Sequence, residues 1–116
     1  MQEGEIIEVP FLFAAGASVS SIKMLDRAGI IRLHTDANWP GGNIGFKVGV
    51  ASGSLLPLTK DGTEYTEAVS AGAQAAICSP SDLAGFTFVQ LTFGAPSVAS
   101  SVGGTPTTVT AITRRI

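Results

Sequence analysis

The chain has 116 residues, of which 45% are hydrophobic and 14% charged, and its formal net charge is -2. This length suits one domain that buries a core without disulfides or metals, and the net charge excludes the basic footprint of a nucleic-acid-binding protein. Because free-standing protein surfaces normally carry more charge, we expect part of this surface to pack against neighbouring subunits.

The N-terminal segment starts acidic and then becomes apolar, with Pro10 interrupting the apolar run. It has no basic n-region and its apolar part is too short to cross a bilayer, so we expect neither a signal peptide nor a membrane span. In "EIIEVPFLF", alternate apolar residues share one face and predict a strand: Ile7, Val9, Phe11 and Phe13. Pro10 cannot donate to a ladder, which predicts an edge strand or a break in pairing. We expect residues 1–17 to be an extended segment.

The middle of the chain alternates short apolar runs with turn residues, as strands do. "VSSIKML" and "GIIRLHT" predict two strands, and the second places Arg32 and His34 on the face opposite Leu33. "DANWPGGN" contains strong breakers and predicts a loop. "IGFKVGVAS" has the clearest alternation, and four of its residues are expected to point inward: Ile44, Phe46, Val48 and Val50.

The second half continues this pattern with tighter turns. Asp61-Gly62 in "KDGT" supplies the positive φ that a hairpin turn needs. "EYTEAV" and "QAAICS" predict strands, and "SPSDLAG" predicts one helical turn that ends at Gly85. "FTFVQLTFG" has apolar residues on both faces, which predicts a central strand. Residues 94–106 predict an extended polar loop, and "TVTAITRRI" predicts the closing strand.

Short strands with turn residues between them, spaced by about ten residues, predict an all-β fold. We expect a single antiparallel β-sandwich over residues 1–116, with about eight short strands and one short helical turn. The strand pattern leaves two orders open, jelly-roll or immunoglobulin-like. No internal repeat, heptad or linker indicates a second domain.

Candidate catalytic and metal-binding residues are few. His34 is the only histidine, and with Asp36 alone nearby it lacks the partners of a triad or a metal site. Acidic residues around the predicted hairpin lack the close oxygen spacing of a calcium loop: Asp61, Glu64 and Glu67. Cys78, the single cysteine, has apolar neighbours and predicts a buried, inert thiol. We therefore predict no enzyme activity, no cofactor and no metal.

Trp39 admits two interpretations. In a Gly/Pro loop near His34 and Asp36 it could stack on a sugar, as in carbohydrate-binding sandwiches. Alternatively it packs over one end of the sandwich. Only one other ring with a polar tip, Tyr65, is present, which favours packing.

The order of these features resembles that of small proteins encoded among the structural genes of tailed bacteriophages. The resemblance spans roughly residues 18–116 and rests on a strand and Trp loop, an Ile-x-Phe-x-Val strand, a DG hairpin, a Pro-x-x-Leu-Ala-Gly-Phe stretch and a Thr/Val closing strand. The matching positions are Ile30, Ile31, Trp39, Ile44, Phe46, Val48, Leu58, Asp61, Gly62, Glu64, Pro80, Leu83, Ala84, Gly85, Phe86, Val89, Val109, Ile112 and Arg114. The chain departs from the pattern in carrying Pro40 after Trp39 and Thr87 and Thr92 where basic residues are common.

The resemblance implies a virion structural protein, most plausibly a capsid decoration or cement protein on the capsid surface, made in the host bacterial cytoplasm. Its implied partners are the major capsid protein and copies of itself, with a trimer expected from the usual symmetry of such sites, and neither nucleic acid nor membrane. We expect partner contacts at Val9, Phe11 and Phe13 or near Trp39. The alternative function is a carbohydrate-binding module on a tail, fibre or head projection.

Overall fold

The computed structural model describes residues 5–25, 28–78, 83 and 86–115, without the side chain of Arg115. These residues form eleven strands and one 3₁₀ turn. Their bounds are β1 Ile6–Phe13, β2 Val19–Met24, β3 Ala28–Thr35, β4 Gly42–Gly49, β5 Leu56–Pro57, β6 Thr59–Lys60, β7 Thr63–Glu64, β8 Thr66–Val69, β9 Ala75–Ile77, β10 Phe88–Phe93, the 3₁₀ turn Pro96–Val98 and β11 Thr107–Arg115. The helical turn predicted over 79–85 lies outside the described residues except for Leu83, which is buried.

Two antiparallel sheets contain all the long strands. The first sheet has the order β1-β11-β3-β9, and the second has the order β2-β10-β4-β5, with β8 pairing elsewhere along β4. Strands β6 and β7 form a separate hairpin, in which Asp61 and Gly62 have positive φ angles of 54° and 80°. The predicted hairpin at Asp61-Gly62 is therefore confirmed, and β10 is central in its sheet as predicted.

The strand order settles which of the two predicted sandwiches forms. Eight principal strands, β1 to β4 and β8 to β11, are divided between the sheets as β1-β11-β3-β9 and β2-β10-β4-β8. The chain changes sheet at nearly every connection, which is the double Greek-key arrangement of a jelly roll. The three additional strands have two residues each, so the expectation of about eight short strands agrees with the structure.

The core lies between the two sheets because alternate residues of each strand point inward. In β1 the odd-numbered residues face inward as predicted, with Phe11 and Phe13 fully buried and Val9 partly buried against the core. The other buried hydrophobic residues with no exposed surface come from both sheets and from one connection: Ile30, Leu33, Ile44, Phe46, Leu83, Val89, Leu91, Val109 and Ala111.

Two expectations differ from the structure. Val50 was expected to point inward but is 86% exposed, because β4 ends at Gly49 and the alternation ends with it. Residues 94–106 were expected to be an extended loop, yet they contain the 3₁₀ turn and fold back on the chain. Val102 is buried there, and its N–H donates to the carbonyl of Ala17 at 2.9 Å.

Candidate interaction surface

Trp39 lies inside the molecule. Its side chain is 2% exposed, and its Nε1–H donates to the carbonyl of Val69 at 3.1 Å. The indole makes an edge contact with Phe93 at a ring distance of 5.2 Å and a tilted contact with Phe13 at 6.2 Å. A ring enclosed in this way has no free face for a sugar, so the packing interpretation of Trp39 agrees with the structure.

The other expected partner contacts also lie towards the core. Phe11 and Phe13 have no exposed surface, and Val9 packs partly buried against the same cluster. These side chains fill the space between the sheets of this chain. A partner role for Val9, Phe11, Phe13 and Trp39 stays a prediction, and the surface described below consists of other residues.

Asp36 acts as a clasp between two distant parts of the chain. Its carboxylate accepts hydrogen bonds from the Asn38 N–H, the Thr107 hydroxyl and the Thr108 N–H, the last at 2.8 Å. Burial raises the pKa of this carboxyl, but the hydrogen bonds from Thr107, Thr108 and Asn38 together bring the pKa below its ordinary value. The clasp fixes the loop after β3 to the start of β11 and leaves Asp36 committed to a structural role.

The remaining acidic residues near the hairpin have structural partners as well. Glu64 accepts the N–H of Ser97 at 2.9 Å and also its hydroxyl, and these bonds lower the pKa of Glu64. The hydroxyl of Tyr65 donates to Glu67. Among the described residues no group of three or more His, Cys, Asp or Glu side chains could hold a metal ion.

Two residues with potential chemistry stand apart from each other. His34 is exposed in β3, opposite Thr110 of β11 and Ala75 of β9. Cys78 is buried; desolvation, with a contribution from the charge of Glu67, raises its thiol pKa to about 12. A thiol with that pKa is un-ionised near neutrality and is a poor nucleophile.

Two of the free sheet edges, those of β1 and β2, have features that oppose the addition of another strand. In β1 the exposed Pro10 offers no N–H, and the N–H of Leu12 donates to the Ser21 hydroxyl instead of a new strand. In β2 the pairing with β10 shifts register, and Lys23 lies opposite the buried Val89. Proline, a bulge and an inward charge are features that block edge-to-edge pairing. The free edge of β1 therefore does not favour addition to the sheet of a neighbouring molecule.

The outer face of the second sheet is partly covered by the chain itself. A Cβ on Gly45 would lie 2.5 Å from the carbonyl oxygen of Gly94 and 2.9 Å from Pro96 Cδ. A Cβ on Gly49 would lie 2.7 Å from the carbonyl oxygen of Ser54. Only glycine allows these loops to lie directly on β4, so this face is not a flat surface.

The outer face of the first sheet has no such covering by the described residues, and we call it the open face. It is formed by the outward side chains of four paired strands. They are Ile6, Glu8, Pro10 and Leu12 of β1, Thr108, Thr110, Ile112 and Arg114 of β11, Arg32 and His34 of β3, and Ala75 and Ile77 of β9. The sequence placed Arg32 and His34 together, but only the register shows which residues of the other strands join them.

One row of the open face crosses all four strands. Glu8 pairs with Ile112, Ile112 with Arg32, and Arg32 with Ile77. Ile112 points outward yet is only 6% exposed, and Glu8 and Arg32 flank it on the neighbouring strands. Ile77 is 82% exposed. Across the part of the chain that the structure describes, neither Glu8 nor Arg32 forms an ion pair.

A depression in the surface lies elsewhere. It is shallow and open, about 280 Å³ in volume, and is lined by Gly42, Asn43, Ala68, Val69 and Ser70. None of these side chains is acidic, basic or nucleophilic in the sense that catalysis requires, apart from one exposed hydroxyl. The depression therefore offers less chemistry than the open face.

The fold and its surface define a class: an all-β jelly-roll protein with one open sheet face, and no metal-ligand cluster within the described ranges. Comparison of the chain with protein-family models, curated proteins and solved structures finds no match. No helix in the described part of the chain is long and apolar enough to cross a membrane.

Proposed function

We propose that this protein is a structural component of a tailed-bacteriophage virion, a decoration or cement protein that binds on the capsid surface. It works by protein–protein contact and strengthens the shell by adding contacts between subunits. The observation that carries the proposal is the open face, a four-stranded surface on which exposed Ile6, Leu12 and Ile77 alternate with charged and Thr side chains. Protein interfaces combine apolar area with arginine in this way.

Two further properties support this function. The charged fraction of 14% is low, so few charges need to be desolvated when surfaces meet. The jelly-roll strand order occurs in viral capsid domains, and also in lectins and cupins. Because a fold hosts many functions, the strand order raises the expectation without deciding it.

The carbohydrate-binding alternative has less support. It needed Trp39 exposed beside polar groups, whereas the indole is enclosed and bonded to Val69. It also needed Asp36 to be available to a sugar, whereas that carboxylate accepts hydrogen bonds from Thr107 and Thr108. Without an exposed ring on which a sugar can stack, a lectin site would have to be built from His34 and hydroxyls alone.

The copy number of this chain in purified phage particles tests the proposal. Quantitative mass spectrometry against the major capsid protein is expected to give a ratio of the same order as one decoration subunit per shell subunit. A much lower ratio would assign the protein to a neck, tail or fibre. Absence of the chain from the particles would overturn the virion function.

A further inference from the structure

We propose that the open face pairs with the open face of a second copy of this chain, around a two-fold axis that lies between the two faces, parallel to β11 and above Ile112. The inference deepens the proposed function by naming one partner of the site that carries it. It can be tested without particles, so the two proposals can fail independently.

The charges on the central row fit this symmetry. Glu8 lies one strand to one side of Ile112, and Arg32 lies one strand to the other side. A half-turn about an axis along β11 exchanges the two sides, so Glu8 of each copy faces Arg32 of the other. Ile112 then lies opposite its own counterpart across the axis, which is the self-complementary pattern of an isologous interface.

Glu8 and Arg32 lie at equal distances from the axis, because the strands of a sheet are evenly spaced. Neighbouring strands lie about 4.8 Å apart, so Glu8 and Arg32 are each about 4.8 Å from the strand that carries Ile112. Facing sheets pack at about 10 Å, a gap that a Glu and an Arg side chain reaching from opposite sides can span. Two charge-assisted pairs would then flank the two-fold axis.

Other axes place like charges together. A two-fold axis along the row itself would bring Glu8 against Glu8 and Arg32 against Arg32, which costs free energy. Pairing through the β1 edge is opposed by Pro10, and the outer face of the second sheet is partly covered by Pro96 and the loop at Ser54. The axis along β11 also brings the two Arg114 side chains near each other, so this residue opposes the contact.

The area predicts a weak dimer. The axis along β11 opposes β1 of each copy to β3 of the other and leaves β9 of each copy outside the contact. Three strands at about 4.8 Å and eight residues at about 3.3 Å give a contact of about 14 by 26 Å, or roughly 380 Å² in projection. Two copies would bury about 760 Å², the size of a weak, transient contact. We therefore expect a dissociation constant of about 100 µM, which the high local concentration on a particle surface would satisfy.

Sedimentation equilibrium of the purified chain, at concentrations up to about 500 µM, tests the pairing. Wild type is expected to dimerise. Glu8→Arg and Arg32→Glu should each weaken the dimer by at least about tenfold. The double variant Glu8→Arg/Arg32→Glu should restore the affinity to within about threefold, because the exchanged charges face each other again.

Two controls separate the interface from folding. Lys47→Glu reverses a charge on β4 of the second sheet and should leave the dimer unchanged, while Arg114→Ala should leave it unchanged or tighten it. Circular dichroism should show the same melting profile for every variant. A wild type that stays monomeric, or a double variant no better than the single ones, would overturn the pairing, and a high chain-to-shell ratio in particles would still support the virion function.

Discussion

The indole N–H of Trp39 donates to the backbone carbonyl of Val69 at 3.1 Å, and this bond connects the loop after β3 to the last residue of β8. The N–H of Gly72 in turn donates to the Trp39 carbonyl at 2.9 Å. The two bonds hold one end of the sandwich closed over Phe13 and Phe93. Trp39 is thus a packing residue that closes the core at the loop end.

Replacement of Trp39 should reveal this role. Trp39→Ala is expected to lower the free energy of unfolding by about 3–5 kcal/mol, since a large buried ring is lost. Trp39→Phe keeps a ring but leaves the Val69 carbonyl without its donor, at a cost of about 1–3 kcal/mol. Urea unfolding followed by circular dichroism measures both. Val98→Ala, at a residue 73% exposed, serves as the control with a change below about 0.5 kcal/mol.

The Asp36 clasp should make stability depend on pH. Its folded-state pKa lies below the ordinary value of 3.8, so its contribution is present above pH 4 and is lost as the pH falls through the folded pKa. Asp36→Asn is expected to cost about 1 kcal/mol at pH 7 and to flatten the stability profile below pH 4. Urea unfolding at several pH values between 2.5 and 7 would show this.

Asp61→Asn is the matched control for the clasp. The substitution makes the same chemical change at an exposed turn. Asparagine tolerates the φ of 54° that residue 61 adopts. This variant should keep the wild-type loss of stability on acidification. Equal pH profiles for Asp36→Asn and wild type would contradict the role assigned to Asp36.

Gly45 should tolerate no side chain. Its added Cβ would meet the Gly94 carbonyl oxygen at 2.5 Å, so Gly45→Ala must displace the turn at Pro96 and is expected to cost at least about 1–3 kcal/mol. Gly53→Ala, where nothing lies within 4 Å, should change stability by less than about 0.5 kcal/mol. Thermal unfolding compares the two, and equal melting temperatures would show that the turn does not lie on β4.

Cys78 should resist alkylation while the protein is folded. With a thiol pKa of about 12, only about one thiol in 10⁴ is ionised at pH 8, and the thiolate is the reactive form. Iodoacetamide labelling of the native protein is expected to be at least about a hundredfold slower than labelling in urea. Mass spectrometry of timed samples gives both rates. Comparable rates would mean that the thiol is accessible and ionised in the folded state.

The sequence predicted those features that depend on local alternation. The period-two pattern in β1 identified the strand and the face shared by Phe11 and Phe13, and Pro10 indicated an edge. Alternation cannot say whether an apolar face meets the chain's own second sheet or a partner. That choice depends on packing between distant segments. In this protein the apolar face of β1 packs in the core, against the chain's own second sheet.

The candidate surface could not be derived from the sequence for a related reason. Glu8, Ile112, Arg32 and Ile77 come into one row only through strand pairings between residues far apart in the chain. A register shift between β11 and β3 next to Ile112 also sets which residues are neighbours, and a shift of one residue would turn every side chain to the other face. The commitment of Asp36 to Thr107, 71 positions away, is equally invisible to local patterns.

The most direct test of the central claim is a cryo-electron microscopy reconstruction of the particle that contains this chain. The account predicts that the open face, with Glu8, Ile112 and Arg32 at its centre, is covered by protein, either a second copy of the chain or a shell subunit. A reconstruction in which this face points to solvent in every copy, while the molecule attaches through other surfaces, would contradict it.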